Sequence, residues 1–287
     1  MLLENTLWDG VVDKVQVAID RIRQFEPPEG YYVAFSGGKD SVVVLDLIKR
    51  AGVKFDAHYN LTTVDPPELI YFIREAFKVK GRKSRYRQRL KATRLMGGKM
   101  PRPWLTIQIH KPRITMWDLI VKKRIPPLRQ MRYCCYELKE GGGKGRLVVT
   151  GVRWGESVRR SKRRMVETCM TDNSKRFFHP IIDWSESEVW EYIRTRNVPY
   201  CSLYDEGFKR LGCILCPQQG SSGMKRDAAR WPKFAEAYKR ACIKAFNKNV
   251  EDQRIQRSWS SGEDMYEWWL SGKASEKVDP DQTVIYE

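Results

Sequence analysis

The chain has 287 residues, 41% of them hydrophobic, with ten Trp and thirteen Tyr, which is enough for one large cored domain or two modest ones. No run of 18 uninterrupted apolar residues occurs, which argues against a transmembrane helix. Fifty-three Lys+Arg against 35 Asp+Glu give a net charge of +18, a balance that favours a polyanionic partner such as nucleic acid over a neutral one. The N-terminal MLLENTLWDGVVDKV carries acids and has no basic segment followed by an apolar one, so no secretory signal is expected. The expected location is the cytoplasm, with no membrane partner, where cysteines stay reduced and serve as metal ligands or nucleophiles more often than as disulfides.

In chain order, the first 25 residues read as one amphipathic helix, with Val11, Val12, Val15, Val17, Ile19 and Ile22 among charges. Tyr31–Phe35 reads as a strand, 40–51 as a Val- and Leu-rich helix, and 53–59 as the next, alternating strand. Asp65-Pro-Pro-Glu68 has the form of a helix start, with an N-cap, early proline and a capping acid. From Arg82 to Arg102 there are nine basic residues and no acid, with Tyr86 inside and Trp104 beside the run, which predicts a loop able to contact DNA or RNA. Leu105–Ile109 reads as a strand, Thr115–Val121 as a capped helix, and Arg146–Thr150 as a buried strand. A second basic cluster spans Arg153 to Arg164, and Ser185-x-x-Glu188 opens another helix. Strands alternating with helices predict an α/β fold with a mainly parallel twisted sheet covered by helices on both faces. From about Met224 the chain reads as helical with aromatic anchors, so two regions are expected: 1–220, an α/β nucleotide-binding domain with a cysteine site, and 221–287, a helical C-terminal extension.

Two constellations carry chemistry. Ser36-Gly37-Gly38-Lys39-Asp40-Ser41 stands where a strand becomes a helix, so glycine backbone and the first helical N–H groups can face an anion. It has neither the G-x-x-x-x-G-K-[ST] nor the G-x-G-x-x-G spacing. The adjacent pair Cys134-Cys135 and the C-x-x-C of Cys213 and Cys216 could together supply four thiolates. From the spacing alone, a four-thiolate metal site, structural zinc included, and plain burial of small side chains both stay open. Cys169, Cys201 and Cys242 are candidate sulfur carriers, with a structural role favoured for each.

The hexapeptide resembles the PP-loop, SGGxDS, of the adenine nucleotide alpha-hydrolase superfamily, whose loop holds ATP phosphates while attack at the α-phosphate releases pyrophosphate. The resemblance implies that Ser36, Gly37, Gly38, Asp40 and Ser41 cradle phosphate, with Lys39 supplying charge. The cysteine frame is similar to that of the iron–sulfur adenylylsulfate reductases in the phosphoadenylylsulfate (PAPS) reductase family. There the four cysteines bind a 4Fe-4S cluster, and a CC-x3-K lysine, here Lys139, lies near cluster and substrate. Thr150-Gly-Val-Arg153-x-x-Glu156-Ser157 and the stretch from Asp183 to Cys216 match the same family, so the resemblance covers roughly residues 30–217. It implies a nucleotide-binding role for Arg153 and Glu156 and catalytic roles for Lys39, Asp40, Lys139 and Arg153, while Asp40 and Glu156 are the candidates for Mg²⁺ or proton handling.

Two departures stand out. The family's nucleophilic cysteine in an E-C-G-[IL]-H tail has no counterpart after Cys242, and the phosphate loop keeps the complete hydrolase form that reductases usually lose. These point to ATP-dependent sulfur transfer: adenylation of an acceptor, nucleic acid among the candidates, followed by displacement of AMP by sulfur from a donor protein. The rival expectations are a sulfonucleotide reductase acting on adenylylsulfate with a displaced or partner-supplied nucleophile, and a nucleic-acid-binding module in which nucleotide and cluster are structural.

Overall fold

A computed structural model describes residues 2–6, 10–79, 106–169, 172–251 and 259–272. The chain divides into two compact units, one formed by 1–60, 67–110 and 142–211, the other by 61–66, 111–141 and 212–287. The sequence-based break after residue 220 falls inside the second unit, which gathers the helical C-terminal residues with two upstream segments. The basic stretch 82–102 lies outside the described residues.

The first unit is built on a seven-stranded sheet. Its strands are β3 (Tyr31–Ala34), β4 (Phe55–Asn60), β5 (Lys78–Val79), β6 (Thr106–His110), β7 (Leu147–Val149), β8 (Val166–Thr168) and β9 (Arg176–Phe178), in the order β5-β6-β4-β3-β7-β9-β8. Every neighbouring pair is parallel except β8 and β9, which pair antiparallel at one edge. The expected α/β class and mainly parallel sheet are what the fold shows. The opening segment differs from the single helix read from its valines. It folds as a hairpin, β1 (Leu3–Thr6) and β2 (Gly10–Asp13), before helix α1 (Lys14–Gln24) begins. The physical reason is Asp13, whose carboxylate accepts from the Val15 and Gln16 amides and so fixes the helix start there.

Helix α1 buries Val15, Ala18, Ile19 and Ile22, one face at helical spacing. Helix α2 (Lys39–Ala51) is apolar almost all round, as a helix enclosed by other elements must be, and it contacts both α1 and α7 (Glu186–Thr195). Its one buried acid, Asp46, is satisfied by the Tyr192 hydroxyl at 2.7 Å. Tyr31 packs on Phe178 and donates to the Ile22 carbonyl, tying β3 to α1. Helix α3 (Pro67–Ala76) starts at the second proline, while Asp65 accepts from the Thr62 amide in the turn before it. The Ser185 start forms the expected reciprocal capping box with Glu188.

The second unit is helical: α4 (Met116–Lys123), α5 (Tyr133–Leu138), α8 (Gly220–Arg230), α9 (Pro232–Glu251) and α10 (Gly262–Ser271). Thr115 caps α4 through the Asp118 amide. Helix α9 buries Tyr238, Ala241, Cys242 and Ala245 at i, i+3, i+4, i+7 spacing. It is approached so closely by α10 that a Cβ on Gly262 would lie 2.3 Å from the Ile243 Cα. Tyr238 packs edge-to-face on Trp117 and at a tilt on Trp269, whose indole donates to the Pro127 carbonyl. Among the described residues, no helix is long and apolar enough to cross a membrane.

Candidate nucleotide and cysteine sites

The phosphate loop joins β3 to α2 at the carboxyl end of the central strand, the position where open parallel sheets bind their ligands. Gly37 takes φ 74°, and a Cβ there would stand 2.6 Å from the Leu69 side chain, so both conformation and space require glycine. Gly38 is the N-cap of α2 and has no side chain to satisfy the first helical amides. The amide of Lys39, first in the helix, is taken by the Tyr204 hydroxyl, and those of Asp40 and Ser41 stand next in line as donors for an anion. Ser36 and Ser41 hold the turn: their hydroxyls are 3.1 Å apart, Ser41 Oγ donates to the Gly38 carbonyl at 2.8 Å, and the Gly38 amide reaches Ser36 Oγ at 3.4 Å.

Lys39 is 5% exposed, an unusual burial for a lysine, and its charge is answered on several sides. Its Nζ donates to the Lys209 carbonyl at 3.2 Å and stands 3.5 Å from Glu186 and 3.7 Å from Asp40. Its backbone amide donates to the Tyr204 hydroxyl at 2.8 Å, and burial pushes the Tyr204 phenol upward. Arg153, also buried, donates from Nε to Asp40 at 2.6 Å and from Nη1 to the Trp184 carbonyl at 3.2 Å. Gly151, just before it, lets the β7 exit pass close to α2, since a Cβ there would be 2.9 Å from the Asp40 backbone. Glu156 accepts from the Arg153 amide and pairs with Arg160, which makes it a brace of the loop that presents Arg153.

Lys39, Asp40, Arg153, Ser36, Gly37, Gly38 and Ser41 therefore come together in one place, with Glu156 bracing it. Tyr204, Glu186 and Lys209 belong to the same site and were not read from the sequence. The only available signal was their position in the Asp183–Cys216 stretch.

Lys139 lies in the other unit with the cysteines. Cys134 and Cys135 sit on α5, and Cys213 and Cys216 flank a turn in which Leu215 takes φ 54°. That turn is fixed by its backbone: Ile214 donates to the Val64 carbonyl at 2.8 Å and Leu215 to the buried Asp227 carboxylate at 3.0 Å, while Tyr238 donates to the Ile214 carbonyl. Cys213 Sγ lies 3.4 Å from the Thr62 hydroxyl, and Arg132 donates to Cys135 Sγ at 3.3 Å. All four sulfurs are half-buried free thiols and feel one another. The hydrogen bond to Cys135, then burial and the other three sulfurs, push the Cys134 thiol up. That same hydrogen bond, with Arg132 and Lys139 working against burial, holds Cys135 below the usual thiol range. Burial and then Cys213 push Cys216 up. The Lys139 ammonium is held charged, first by Cys213 and then by Cys135 and Cys216 against its own desolvation.

Four free thiols beside a lysine have the donor chemistry that a thiophilic metal group takes. Among the described residues, no set of three or more His, Cys, Asp or Glu side chains is disposed to hold a single metal ion. The four thiols therefore match such a group in donor type alone. Cys201 and Cys242 are buried, with burial pushing both thiols up, Cys242 to about 12, which suits packing better than nucleophilic work.

A parallel sheet whose central strand delivers a glycine turn to a helix N-terminus defines a nucleotide-phosphate-binding α/β protein. Residues 30–219 match the phosphoadenosine phosphosulfate reductase domain, and the chain belongs to that family. It is 29% identical over 208 residues to the adenosine 5'-phosphosulfate reductase of Oceanobacillus iheyensis, covering 69% of this chain and 75% of that protein. Against the enzyme of the same name from Staphylococcus haemolyticus it is 30% identical over 139 residues, 46% of this chain and 56% of that protein. The chain thus spans three quarters of the first relative and little over half of the second. Among solved structures, a phosphoadenylyl-sulfate reductase from Candida auris in a phosphate complex aligns with a TM-score of 0.46 at 18% identity, covering 68% of this chain and 87% of that one.

Proposed function

We propose that this protein is an ATP-pyrophosphatase-type enzyme that activates an acceptor, a nucleic acid, by adenylation for sulfur transfer. The observation that carries this reading is the complete phosphate loop, with Lys39, Asp40 and Arg153 gathered at its mouth. Here an acceptor oxygen attacks the α-phosphorus of ATP, the bond to the β-phosphate breaks, and pyrophosphate leaves with the electron pair. A hydrosulfide-level sulfur nucleophile from a donor protein then attacks the carbon bearing the adenylated oxygen, and AMP leaves. The α2 amides and Lys39 bind phosphate charge that grows as pyrophosphate departs. Arg153 orients the Asp40 carboxylate at the loop, where it can hold Mg²⁺ or a proton.

Cys134, Cys135, Cys213 and Cys216 would hold a 4Fe-4S cluster, with Lys139 beside it as counter-charge. When bound, such a cluster would supply a soft, redox-active sulfur-handling centre. A second reading, reduction of adenylylsulfate or its 3'-phosphorylated form, is favoured by the names of the relatives. Anaerobically purified protein given ATP, Mg²⁺ and mixed nucleic acid should release pyrophosphate and AMP, and Lys39→Ala should lower that release by about 10²–10³-fold. Sulfite formed from adenylylsulfate with thioredoxin, without pyrophosphate from ATP, would replace the first reading with the second. Visible iron–sulfur absorbance lost in Cys134→Ser or Cys216→Ser tests the cluster separately.

A further inference from the structure

The loop after Arg153 carries a surface that adenylation does not use. Trp154–Glu156 form a 3-10 turn and Val158–Ser161 a single helical turn, called α6 here. Trp154 is 43% exposed and Val158 80% exposed, unusual for residues one turn away from a buried arginine. The indole is not loose: its N–H donates to the Arg163 carbonyl at 2.8 Å, and its backbone amide donates to the Ile182 carbonyl at 2.8 Å. With the polar edge tied down, the exposed area belongs to the apolar ring, held as a fixed plate.

Arg159, Arg160, Lys162, Arg163 and Arg164 follow it closely in the chain, the Arg163 carbonyl directly against the indole. Arg160 is paired with Glu156 and Arg163 with Glu167, so the local acids are already spent. Arg159, Lys162 and Arg164 are exposed and make no ion pair among the described residues. A cluster of surface cations by itself commonly means only a solvated face. This one differs in two ways. It borders an anchored, open aromatic, and it continues directly from Arg153, whose guanidinium holds Asp40 at the mouth of the phosphate loop. An acceptor that is to be adenylated must dock beside that loop.

We propose that Trp154, Val158, Arg159, Lys162 and Arg164 form the docking surface for a single-stranded nucleic acid acceptor, with a base stacked on Trp154 and phosphates on the three cations. This rests on the nucleic-acid acceptor reading above. A single strand offers the free base face that an aromatic plate needs, whereas the bases of a duplex are already stacked. The two exposed apolar residues are too few for the apolar centre of a protein interface.

The test uses the full chain and a short fluorescein-labelled oligouridylate or oligothymidylate, with binding followed by anisotropy across a salt series. Trp154→Ala should weaken binding by about 5- to 150-fold, the range for loss of one stacked base, while Trp154→Phe keeps most of it. The triple variant Arg159→Ala/Lys162→Ala/Arg164→Ala should lower the log–log salt slope by about 2, at roughly 0.7 per single-strand phosphate contact. The basic stretch 82–102 can add its own phosphate contacts, so the readout is the difference from the parent protein. If Trp154→Ala does not fold by thermal melting, the phenylalanine and triple variants decide. Unchanged binding in the folded variants, or a labelled duplex bound as tightly as the single strand, overturns the proposal. Pyrophosphate release on the same preparations separates the two ideas. Release with binding indifferent to these variants sinks the docking surface alone, and strand binding that depends on them without release sinks the adenylation reading alone.

Discussion

Arg153 and Asp40 come from elements 113 residues apart, and their ion pair at 2.6 Å is one of the few charged contacts buried in the first unit. Asp40 keeps a fifth of its side chain in solvent, so water recovers part of what a lost partner would cost. Arg153→Ala is therefore expected to destabilise the protein by about 3 kcal/mol, at the low end for breaking a buried pair, as read from urea unfolding. Arg153→Lys should not restore the loss, because one ammonium cannot span the Asp40 carboxylate and the Trp184 carbonyl as the guanidinium does. A lysine variant as stable as the parent would show that the fork is not needed. At this scale the glycines, Lys39, Asp40 and Arg153 were legible, because strand–turn–helix context and motif spacing select them. Tyr204 was not. Its contact with the Lys39 amide depends on a fold that brings together residues 165 positions apart, and nothing local marks it.

Elements owe their stability to how they begin. The start of α7 joins two devices: Ser185 and Glu188 cap each other, and Glu188 also receives the Lys14 ammonium of α1 at 2.9 Å. Burial opposes ionisation of Glu188, yet Lys14 and the Ser185 amide and hydroxyl overcome it and hold the carboxyl at about 2 instead of the usual 4.5. A folded value below the unfolded one stabilises the native state above the unfolded value. That contribution fades as pH falls from about 4.5 through about 2, and is at most about 3 kcal/mol. Glu188→Gln should flatten the stability profile over that window while leaving the profile above pH 6 parallel to the parent's. An unchanged acid-unfolding midpoint would remove Glu188 from the account. Gly37→Ala tests the loop in the same way. Its positive φ alone costs an L-residue about 1–2 kcal/mol, the Leu69 contact adds to that, and nucleotide affinity should fall together with the melting temperature. The caps at Thr115 and Ser185 were readable because a side chain and an amide three residues on suffice. The hairpin before α1 was not, since Val11 and Val12 run on into Val15 and only the Asp13 cap separates strand from helix. Helix α5 is six residues long, too short for any apolar period to show, although it positions the first cysteine pair.

The molecule as a whole separates its two candidate sites by unit: the Ser36–Ser41 loop belongs to the first, and Cys134, Cys135, Cys213 and Cys216 to the second. No composition shift in the sequence announces this, because the second unit is assembled from three chain segments, two of them from connections between strands of the one seven-stranded sheet. What was legible was the parallel sheet, from alternation of strand and helix. The grouping of 61–66 and 111–141 with the C-terminal helices depends on long-range packing, such as Trp117 against Tyr238 and Trp269 against Pro127. Since each unit has its own core, a ligand that binds one of them should stabilise mainly that one, by about 2.7 kcal/mol at a hundred times its dissociation constant. Amide hydrogen exchange gives the expected pattern. ATP with Mg²⁺ should slow exchange at 36–41 and 153–156 and leave 213–219 unchanged. Chelation or oxidation of an iron-loaded preparation should speed exchange at 133–138 and 213–219 and leave the phosphate loop unchanged. The Leu215 amide is the sharpest reporter, because its bond to Asp227 holds the turn between Cys213 and Cys216 in its left-handed conformation. If chelation left that amide as protected as before, the turn would be held by Asp227 and the backbone alone. The four cysteines would then lose their claim to a metal group, whatever the nucleotide site does.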